Sequence, residues 1–419
     1  MIDPERSLLV GICFPRGDRG EAVDSLAELE QLAESAGAEV AGKSFQELKE
    51  IHSATLVGRG KAHEIRDSAT DDIDLVIFDA ELSPVQQRNL EDLLEAKVLD
   101  RTGLILDIFA QRARTKEGQI QVELAQLKYL QTRLTGHGVA LSRLGGGIGT
   151  RGPGETKLEM DRRRIRRRIS TLNEQLKVVR ETRKLHRSRR QSVPLPTIAL
   201  VGYTNSGKST LLNHLTDASV NAEDRLFATL DPTTRRLGLP DGQRALLTDT
   251  VGFIRRLPHS LVEAFKATFE EVLEADILIH VVDFSHENWV EQARAVDNVL
   301  KEMGASDKPV IRAFNKTDVI DPAGILYPGG QGKSSDDDVY ISAKTGFGIE
   351  RLLWAISRRL KENMRRVRIH LPFSAGNLIH EIYERGWVLD REDGAEQVIL
   401  DANIEKPLAD KLEKMGYVE

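Results

Sequence analysis

The string Gly202-Tyr203-Thr204-Asn205-Ser206-Gly207-Lys208-Ser209 decides the fold at the centre of this chain. An apolar run, Thr197-Ile198-Ala199-Leu200-Val201, precedes it, and a helical run, Ser209-Thr210-Leu211-Leu212-Asn213-His214-Leu215, follows. Glycines, Lys and Ser at this spacing between a strand and a helix make a phosphate-binding loop. Backbone N–H groups of such a loop point inward at an anion, and the helix N-terminus adds partial positive charge. Lys208 is then expected to bridge the outer phosphates, and the Ser209 hydroxyl to bind Mg²⁺.

Three further strings follow in the order a guanine-nucleotide pocket requires. Asp249-Thr250-Val251-Gly252 ends the apolar run Ala245-Leu246-Leu247-Thr248. Asp249 can hold a Mg²⁺-bound water there, and the Gly252 N–H can reach the terminal phosphate. Asn315-Lys316-Thr317-Asp318 ends Pro309-Val310-Ile311-Arg312-Ala313-Phe314. The Asp318 carboxylate can accept both the ring N–H and the exocyclic amine of guanine, whereas adenine offers an acceptor at the first position. A buried carboxylate left unpaired is costly, so the wrong base is rejected. Ser342-Ala343-Lys344 follows Val339-Tyr340-Ile341 and backs the base with a main-chain N–H. All four strings close apolar strands, which puts them at the carboxyl edge of an open α/β sheet. Together they imply a GTP pocket.

Between the first two strings lies Phe227-Ala228-Thr229-Leu230-Asp231-Pro232-Thr233-Thr234-Arg235. A segment so placed should carry a Thr that completes the Mg²⁺ shell with GTP bound and lets go after hydrolysis. Thr229, Thr233 and Thr234 compete for that role on spacing alone, and an ordinary Pro-containing turn also fits Asp231-Pro232. After Gly252 comes Phe253, where many regulatory GTPases keep a water-orienting Gln. A phenyl ring accepts no hydrogen bond from water, so another group must position it or hydrolysis is slow until a partner reshapes the site. Asn205 carries two readings. In several GTPases an Asn at this place helps bind K⁺, and an Asn there also simply closes the turn.

At 419 residues the chain is too long for one core. Its 40% hydrophobic and 30% charged content reads as soluble and globular. No long apolar run or basic-then-apolar leader is found, so a cytoplasmic protein without a membrane span is expected. Cys13 is the single cysteine, in an apolar run, and excludes an internal disulfide. With ten His and no Cys cluster, a structural zinc site is not expected. The net charge of −6 is unevenly spread: residues 112–190 carry roughly 21 Lys/Arg against about 7 Asp/Glu, so the rest is at about −20. An acidic body with one basic segment points to a localised polyanion contact.

The fold class is multidomain α/β, in four parts. Residues 1–110 alternate strands (8–14, 74–79) and helices (22–35, 84–96) as a small N-terminal α/β domain. Within them Gly58-Arg59-Gly60-Lys61 links a strand at Thr55-Leu56-Val57 to a helix, either as a phosphate-binding turn or as a plain one. Residues 111–192 form a basic helical arm. Its seams, Ile120, Leu124, Leu127, Gln131, Leu134 and Ile165, Ile169, Leu172, Leu176, Val179, read as an antiparallel helical pair. The second helix is expected from near Lys157 to Ser188, roughly 45–50 Å at 1.5 Å per residue. The glycine-rich loop 145–154 between them cannot pack as helix or strand and should be the arm's mobile end. Arg162-Arg163-Arg164-Ile165-Arg166-Arg167-Arg168 surrounds its helix with charge. A phosphate backbone is the natural counter-surface, against the alternative of a salt-bridged, solvated coiled coil. Without interleaved aromatics, a folded RNA surface fits better than single-strand stacking. Residues 193–364 are a P-loop GTPase domain with a doubly wound, mostly parallel sheet. Residues 365–419 read β-α-β-β-α, a small ferredoxin-like α+β domain.

The nucleotide strings, together with Gly-Gly-Gly-Ile-Gly-Thr-Arg-Gly-Pro-Gly-Glu-Thr at 145–156, make the chain resemble the HflX family of ribosome-associated GTPases over nearly its full length. The resemblance implies binding to the large ribosomal subunit and its rRNA, with some members splitting stalled or idle ribosomes under stress, and a monomer is expected. It implies GTP contacts at Gly202, Tyr203, Thr204, Asn205, Ser206, Gly207, Lys208, Ser209, Phe227, Ala228, Thr229, Leu230, Asp231, Asp249, Thr250, Val251, Gly252, Asn315, Lys316, Thr317, Asp318, Ser342, Ala343 and Lys344. Among these it gives Mg²⁺ to Ser209 and Thr229, and catalysis to Lys208, Thr229 and Gly252. ATP at the N-terminal domain is attributed to some members, but Gly58-Arg59-Gly60-Lys61 is too short to secure it. The rival from another class is a GTP-binding, RNA-binding switch in ribosome assembly or regulation with little hydrolysis. A tRNA-modifying GTPase would want a catalytic cysteine, which Cys13 does not supply.

Overall fold

The computed structural model describes residues 4–15, 17–68, 72–134, 153–190, 195–216, 226–227, 230–255, 269–320, 337–362, 364–394 and 396–419. The chain gathers into two compact units. The first comprises Met1–Val178 with the described parts of Glu223–Asp231 and Arg255–Ala267, and the second takes the remainder.

In the first unit, β1 (Arg6–Cys13), β2 (Glu39–Glu47), β3 (Leu75–Phe78) and β4 (Lys97–Asp100) form a four-stranded sheet in the order β2-β1-β3-β4. All its pairings are parallel. Parallel strands need crossovers, here α1 (Arg19–Ala36), α2 (Arg59–Ser68) and α3 (Pro84–Leu94). Ser83 starts α3 with a reciprocal capping box to Gln86, and Pro84 occupies its first turn. β1 and β3 are buried on both faces, which is why they read as apolar runs. The expected strand at Thr55-Leu56-Val57 does not form. Leu56 takes a left-handed φ of 62° in a tight loop that makes only an isolated bridge to His52.

α4 (Arg101–Arg112) follows β4 directly, and α5 (Lys116–Leu134) leads into the arm. α5 pairs with α6 (Pro153–Arg190) through Ile120, Leu124, Leu127, Ile169, Leu172 and Leu176, the seam expected from the heptad spacing. α6 begins earlier than expected, because Pro153 has the fixed φ that suits a first helical position. Its 38 residues span about 57 Å. Residues 145–152 of the glycine-rich loop lie outside the described residues.

The second unit holds β5 (Thr197–Gly202), β6 (Thr233–Gly238), β7 (Arg244–Asp249), β8 (Ile277–Asp283), β9 (Val310–Asn315) and β10 (Asp338–Tyr340). Their order is β10-β9-β8-β5-β7-β6, parallel except for the edge strand β6. The strand ends Gly202, Asp249, Asp283 and Asn315 therefore converge on one carboxyl edge. α7 (Lys208–Thr216), α8 (Glu270–Glu274), α9 (Trp289–Glu302) and α10 (Ile349–Glu362) complete this part. Ile198, Leu200, Leu247, Ile279, Val281, Ile311 and Ala313 sit at its core, each at most 1% exposed.

β11 (Met364–Pro372), α11 (Gly376–Arg385), β12 (Gly386–Asp393), β13 (Gln397–Glu405) and α12 (Lys406–Lys414) follow. The sheet is antiparallel, ordered β11-β13-β12, one strand short of the full ferredoxin-like arrangement. Val367, Ile369 and Leu371 alternate with the exposed Arg366 and Arg368 and the half-buried His370 along β11, and pack with Ile382, Leu408 and Leu412 from the helices.

Candidate functional site

The phosphate-binding loop joins β5 to α7. Its turn needs left-handed backbone at Asn205 (φ 59°) and at Gly207 (φ 94°). Asn tolerates that conformation, which favours a turn-closing role there. At Gly207 a Cβ would come 2.3 Å from the Asn315 amide nitrogen, so only glycine fits. Asn315, buried at the end of β9, is the strut behind this approach. Its Nδ2 donates to the Ser206 carbonyl at 2.8 Å, and its Oδ1 accepts the Ala343 N–H at 2.9 Å. One side chain thus ties the first, third and fourth strings together.

The second string is laced to the first by main chain. Phe253 N–H donates to the Gly202 carbonyl (3.0 Å), and Thr204 N–H donates to the Phe253 carbonyl (2.7 Å). Thr250 Oγ1 donates to the Leu200 carbonyl at 2.6 Å, and Val251 is buried. Gly252 lies against Thr204 and the Lys208 ammonium. The Phe253 ring is fully buried and stacks on Phe269 with centroids 5.6 Å apart. It presents nothing polar beside Gly252.

Lys208 is buried, and its Nζ donates to the carbonyls of Tyr203 (2.7 Å) and Gly202 (3.1 Å). Burial pushes its pKa down to about 8, against the opposing pull of the Asp249 carboxylate. Phosphate oxygens favour the ammonium form. Guanine-nucleotide binding at pH 8.5–9 should therefore take up protons, with the uptake fading below pH 7, where Lys208 is already charged. Calorimetry in buffers of different ionisation enthalpy measures this. No net uptake at pH 9 would remove Lys208 from the phosphate site.

Ser209 Oγ donates to Asp249 Oδ2 at 2.6 Å, which sets a hydroxyl and a carboxylate side by side at the head of α7. That donor set fits Mg²⁺, which takes oxygen ligands and binds through one or two protein groups plus phosphates. Among the described residues no group of three or more His, Cys, Asp or Glu could hold a metal unaided.

At the third and fourth strings, Lys316 has a left-handed φ of 65° and pairs with Asp283 at 2.6 Å. Thr317 Oγ1 donates to the Ile341 carbonyl at 3.0 Å. Ser342 Oγ donates to Asp318 Oδ1 at 2.7 Å and fixes the carboxylate plane. Asp318 is exposed, not buried as expected. Ala343 is buried and Lys344 exposed. Sequence reasoning missed Asp283, although its place at the end of the apolar β8 was a usable signal.

The segment between the first two strings divides. Ala228 and Thr229 lie outside the described residues. Phe227, Leu230 and Asp231 belong to the first unit, with Phe227 buried edge-on to Phe109 at 4.7 Å. Thr233 and Thr234 are in β6, where the Thr234 and Thr248 hydroxyls share a 2.9 Å hydrogen bond. That contact commits Thr234 to the sheet. In the first unit, Lys61 donates to Gln46 Oε1 at 2.7 Å and Arg59 opens α2, so the turn at Gly58 is built into the fold.

Four family descriptions match consecutive stretches of the chain. They are GTP-binding GTPase N-terminal over residues 23–110 and GTP-binding GTPase Middle Region over 112–190. A 50S ribosome-binding GTPase family covers 197–316, and an HflX C-terminal domain covers 330–419. The GTPase HflX of Caldanaerobacter subterraneus is 48% identical over 411 residues, covering 98% of this chain and 93% of that protein. The GTPase HflX of Escherichia coli is 44% identical over 397 residues, covering 93% and 92%. Among solved structures, a GTP-binding protein from Sulfolobus solfataricus in complex with GDP is 25% identical, with a TM-score of 0.44, covering 85% of this chain and 99% of that chain.

Proposed function

We propose, from the premise that this chain belongs to the HflX family of GTPases and hydrolyses GTP, that it does so on the large ribosomal subunit to split or recycle stalled or idle ribosomes under stress. The observation that supports it best is the Asn315 strut, which holds the phosphate loop and both base-side strings in one pocket. In that pocket Lys208 and the Gly252 N–H meet the outer phosphates, and Asp318 reads the base. Ser209 and, by family resemblance, Thr229 would hold Mg²⁺. When bound, that ion neutralises charge on the β- and γ-phosphate oxygens. Asn205 leaves K⁺ as a proposal for salt-substitution kinetics, and ATP at the N-terminal part stays a proposal resting on Gly58-Arg59-Gly60-Lys61.

The arm supplies the RNA contact. Three arginines of its cationic run, Arg164, Arg166 and Arg167, are exposed and make no ion pair among the described residues. Residues 1–110, 111–192, 193–364 and 365–419 are the working divisions, acting as a monomer. No described helix is long and apolar enough to cross a membrane, and we place the protein in the cytoplasm with its ribosomal partner.

A second reading is favoured by the burial of Phe253, namely a GTP-binding RNA switch that barely hydrolyses. Turnover measurements separate the two. The isolated protein should hydrolyse GTP at about 10⁻⁴–10⁻² s⁻¹, the scale of unassisted GTPases, and large subunits should accelerate it. Turnover that stays slow on ribosomes would leave the switch, and fast turnover indifferent to ribosomes would defeat both. Sedimentation of 70S particles with GTP or a non-hydrolysable analogue then tests splitting.

A further inference from the structure

The third string turns on a residue in an unfavourable backbone conformation. Lys316 holds φ 65° and ψ 31°, in the left-handed region. There a Cβ crowds the following carbonyl, and a residue that carries one is disfavoured by about 5–30-fold. The bend leads the chain out of β9 and into the short 3₁₀ turn Thr317–Val319, and so decides where Asp318 is presented. Strain of this size persists only where the surroundings hold it.

The end of β8 supplies much of that hold, and all the residues concerned lie in the second unit. Asp283 is the register partner of Asn315. Next to it, the Phe284 N–H donates to the Asn315 carbonyl at 3.0 Å, which fixes the residue before the bend. Asp283 Oδ2 meets the Lys316 ammonium at 2.6 Å, which fixes the far end of the bent residue's own side chain. After the bend, the Val319 N–H donates to the Lys316 carbonyl at 3.1 Å. Asp283 is itself tied down, because its Oδ1 accepts both the N–H and the hydroxyl of Ser285, at 3.1 and 2.6 Å. Phe284 packs edge-on to Phe314 and to Tyr340, with ring centroids 5.5 Å away in each case. Only 13% of the Asp283 side chain and 29% of the Lys316 side chain are exposed, so solvent screens this pair less than a surface one.

We propose that Asp283 is a positioning residue for guanine-nucleotide binding, which holds the Lys316 ammonium and so keeps the third string bent with Asp318 facing the base. The proposal rests on the assignment of Asp318 to the base. Asp283 acts through Lys316, not on the ligand. Without its carboxylate, β8 and β9 stay paired, because that pairing is main chain. Lys316 is then free to relax toward ordinary backbone angles and carry Asp318 out of place. A pocket that presents Asp318 only part of the time binds more weakly in proportion to that fraction. GDP and GTP should lose affinity alike, since they share the base.

Binding and release of ribose-labelled fluorescent GDP by the full-length protein test this. Asp283→Ala should weaken GDP and GTP about tenfold, chiefly through faster release, with the loss appearing in KM for GTP and not in kcat. Asp283→Asn keeps an acceptor for Ser285 and guards against a folding defect, yet without the charge it should still lose several-fold. A double-mutant cycle with Lys316→Gly then isolates the route. Glycine adopts the left-handed bend unaided, so in that background Asp283→Ala should cost no more than about twofold, the margin of an uncoupled pair. A merely structural Asp283 would cost as much there as in the wild-type background. The proposal is overturned if both Asp283 variants bind GDP as the wild type does, or if the Asp283→Ala loss survives in full alongside Lys316→Gly. Asp318→Asn separates the two layers. If it shifts base preference while the Asp283 variants change nothing, the positioning role alone fails, and if guanine preference survives it, the failure belongs to the base assignment beneath.

Discussion

Changing Asp318 to Asn is expected to lower affinity for guanine nucleotides by about 10²–10⁴-fold and to move the preference to xanthosine nucleotides. Guanine donates two hydrogen bonds to the carboxylate, each to a charged acceptor worth about 1.5–3 kcal/mol. An Asn keeps one acceptor and turns a donor toward the exocyclic amine, so donor faces donor. Xanthine carries an oxo acceptor where guanine has that amine, and so matches the new donor while keeping its ring N–H. The support behind the residue survives, because the Ser342 hydroxyl that holds Oδ1 at 2.7 Å can either donate or accept. Asp318 is exposed, so the substitution should leave stability within about 0.5 kcal/mol. Competition among GDP, XDP and ADP for the purified protein gives the answer. Undiminished guanine preference would remove Asp318 from base recognition.

The elements legible in the sequence were those whose burial matches a simple period. β5, β7 and β9 are central parallel strands, and a continuous apolar run has few other homes. The arm was legible through Leu124, Leu172 and Leu176, which recur at seam spacing and do meet. β2 was not, because Glu39–Glu47 lies at a sheet edge and only Gln46 among its residues is buried. Pairing with β1, not hydrophobicity, makes it a strand. The β4–α4 step was also missed, since strand passes into helix at Asp100 and Arg101 with no turn residue between them. In the site, the loop glycines and Lys208 were readable because local spacing defines them. Asn315 was readable as a motif residue but not as a strut, for its partners Ser206 and Ala343 are 109 and 28 positions away. Asp231 poses the same difficulty more sharply. Beside Pro232 it looks like a turn former, and only the fold brings the start of α5 to its carboxylate.

Neutralising Arg164, Arg166 and Arg167 together should weaken binding to the large subunit by up to a few hundred-fold at about 0.1 M salt. The choice of residues comes from their neighbours. Arg168 makes a two-pronged pair with Glu123 at 2.6 and 2.8 Å, Arg163 pairs with Glu159, and Arg162 reaches the Leu134 carbonyl. Those three are already engaged within the arm. Arg164, Arg166 and Arg167 point to solvent, where holding them charged serves no described contact. If each neutralises one rRNA phosphate, the slope of log affinity against log salt should flatten by about 0.9 per residue, taking duplex DNA as the guide. Gln substitution of Arg163 and Arg168 should cost less, because their charge is partly cancelled by a carboxylate. GTP affinity should not change, since none of these arginines takes part in the pocket's described contacts. A solvated coiled coil that only spaces the ends of the chain predicts an unchanged slope for every variant. An unchanged slope in the triple variant would therefore decide against RNA contact. A reduced affinity with the slope intact would instead mean lost shape at the arm, because released counterions, and nothing else in the interface, carry the salt dependence.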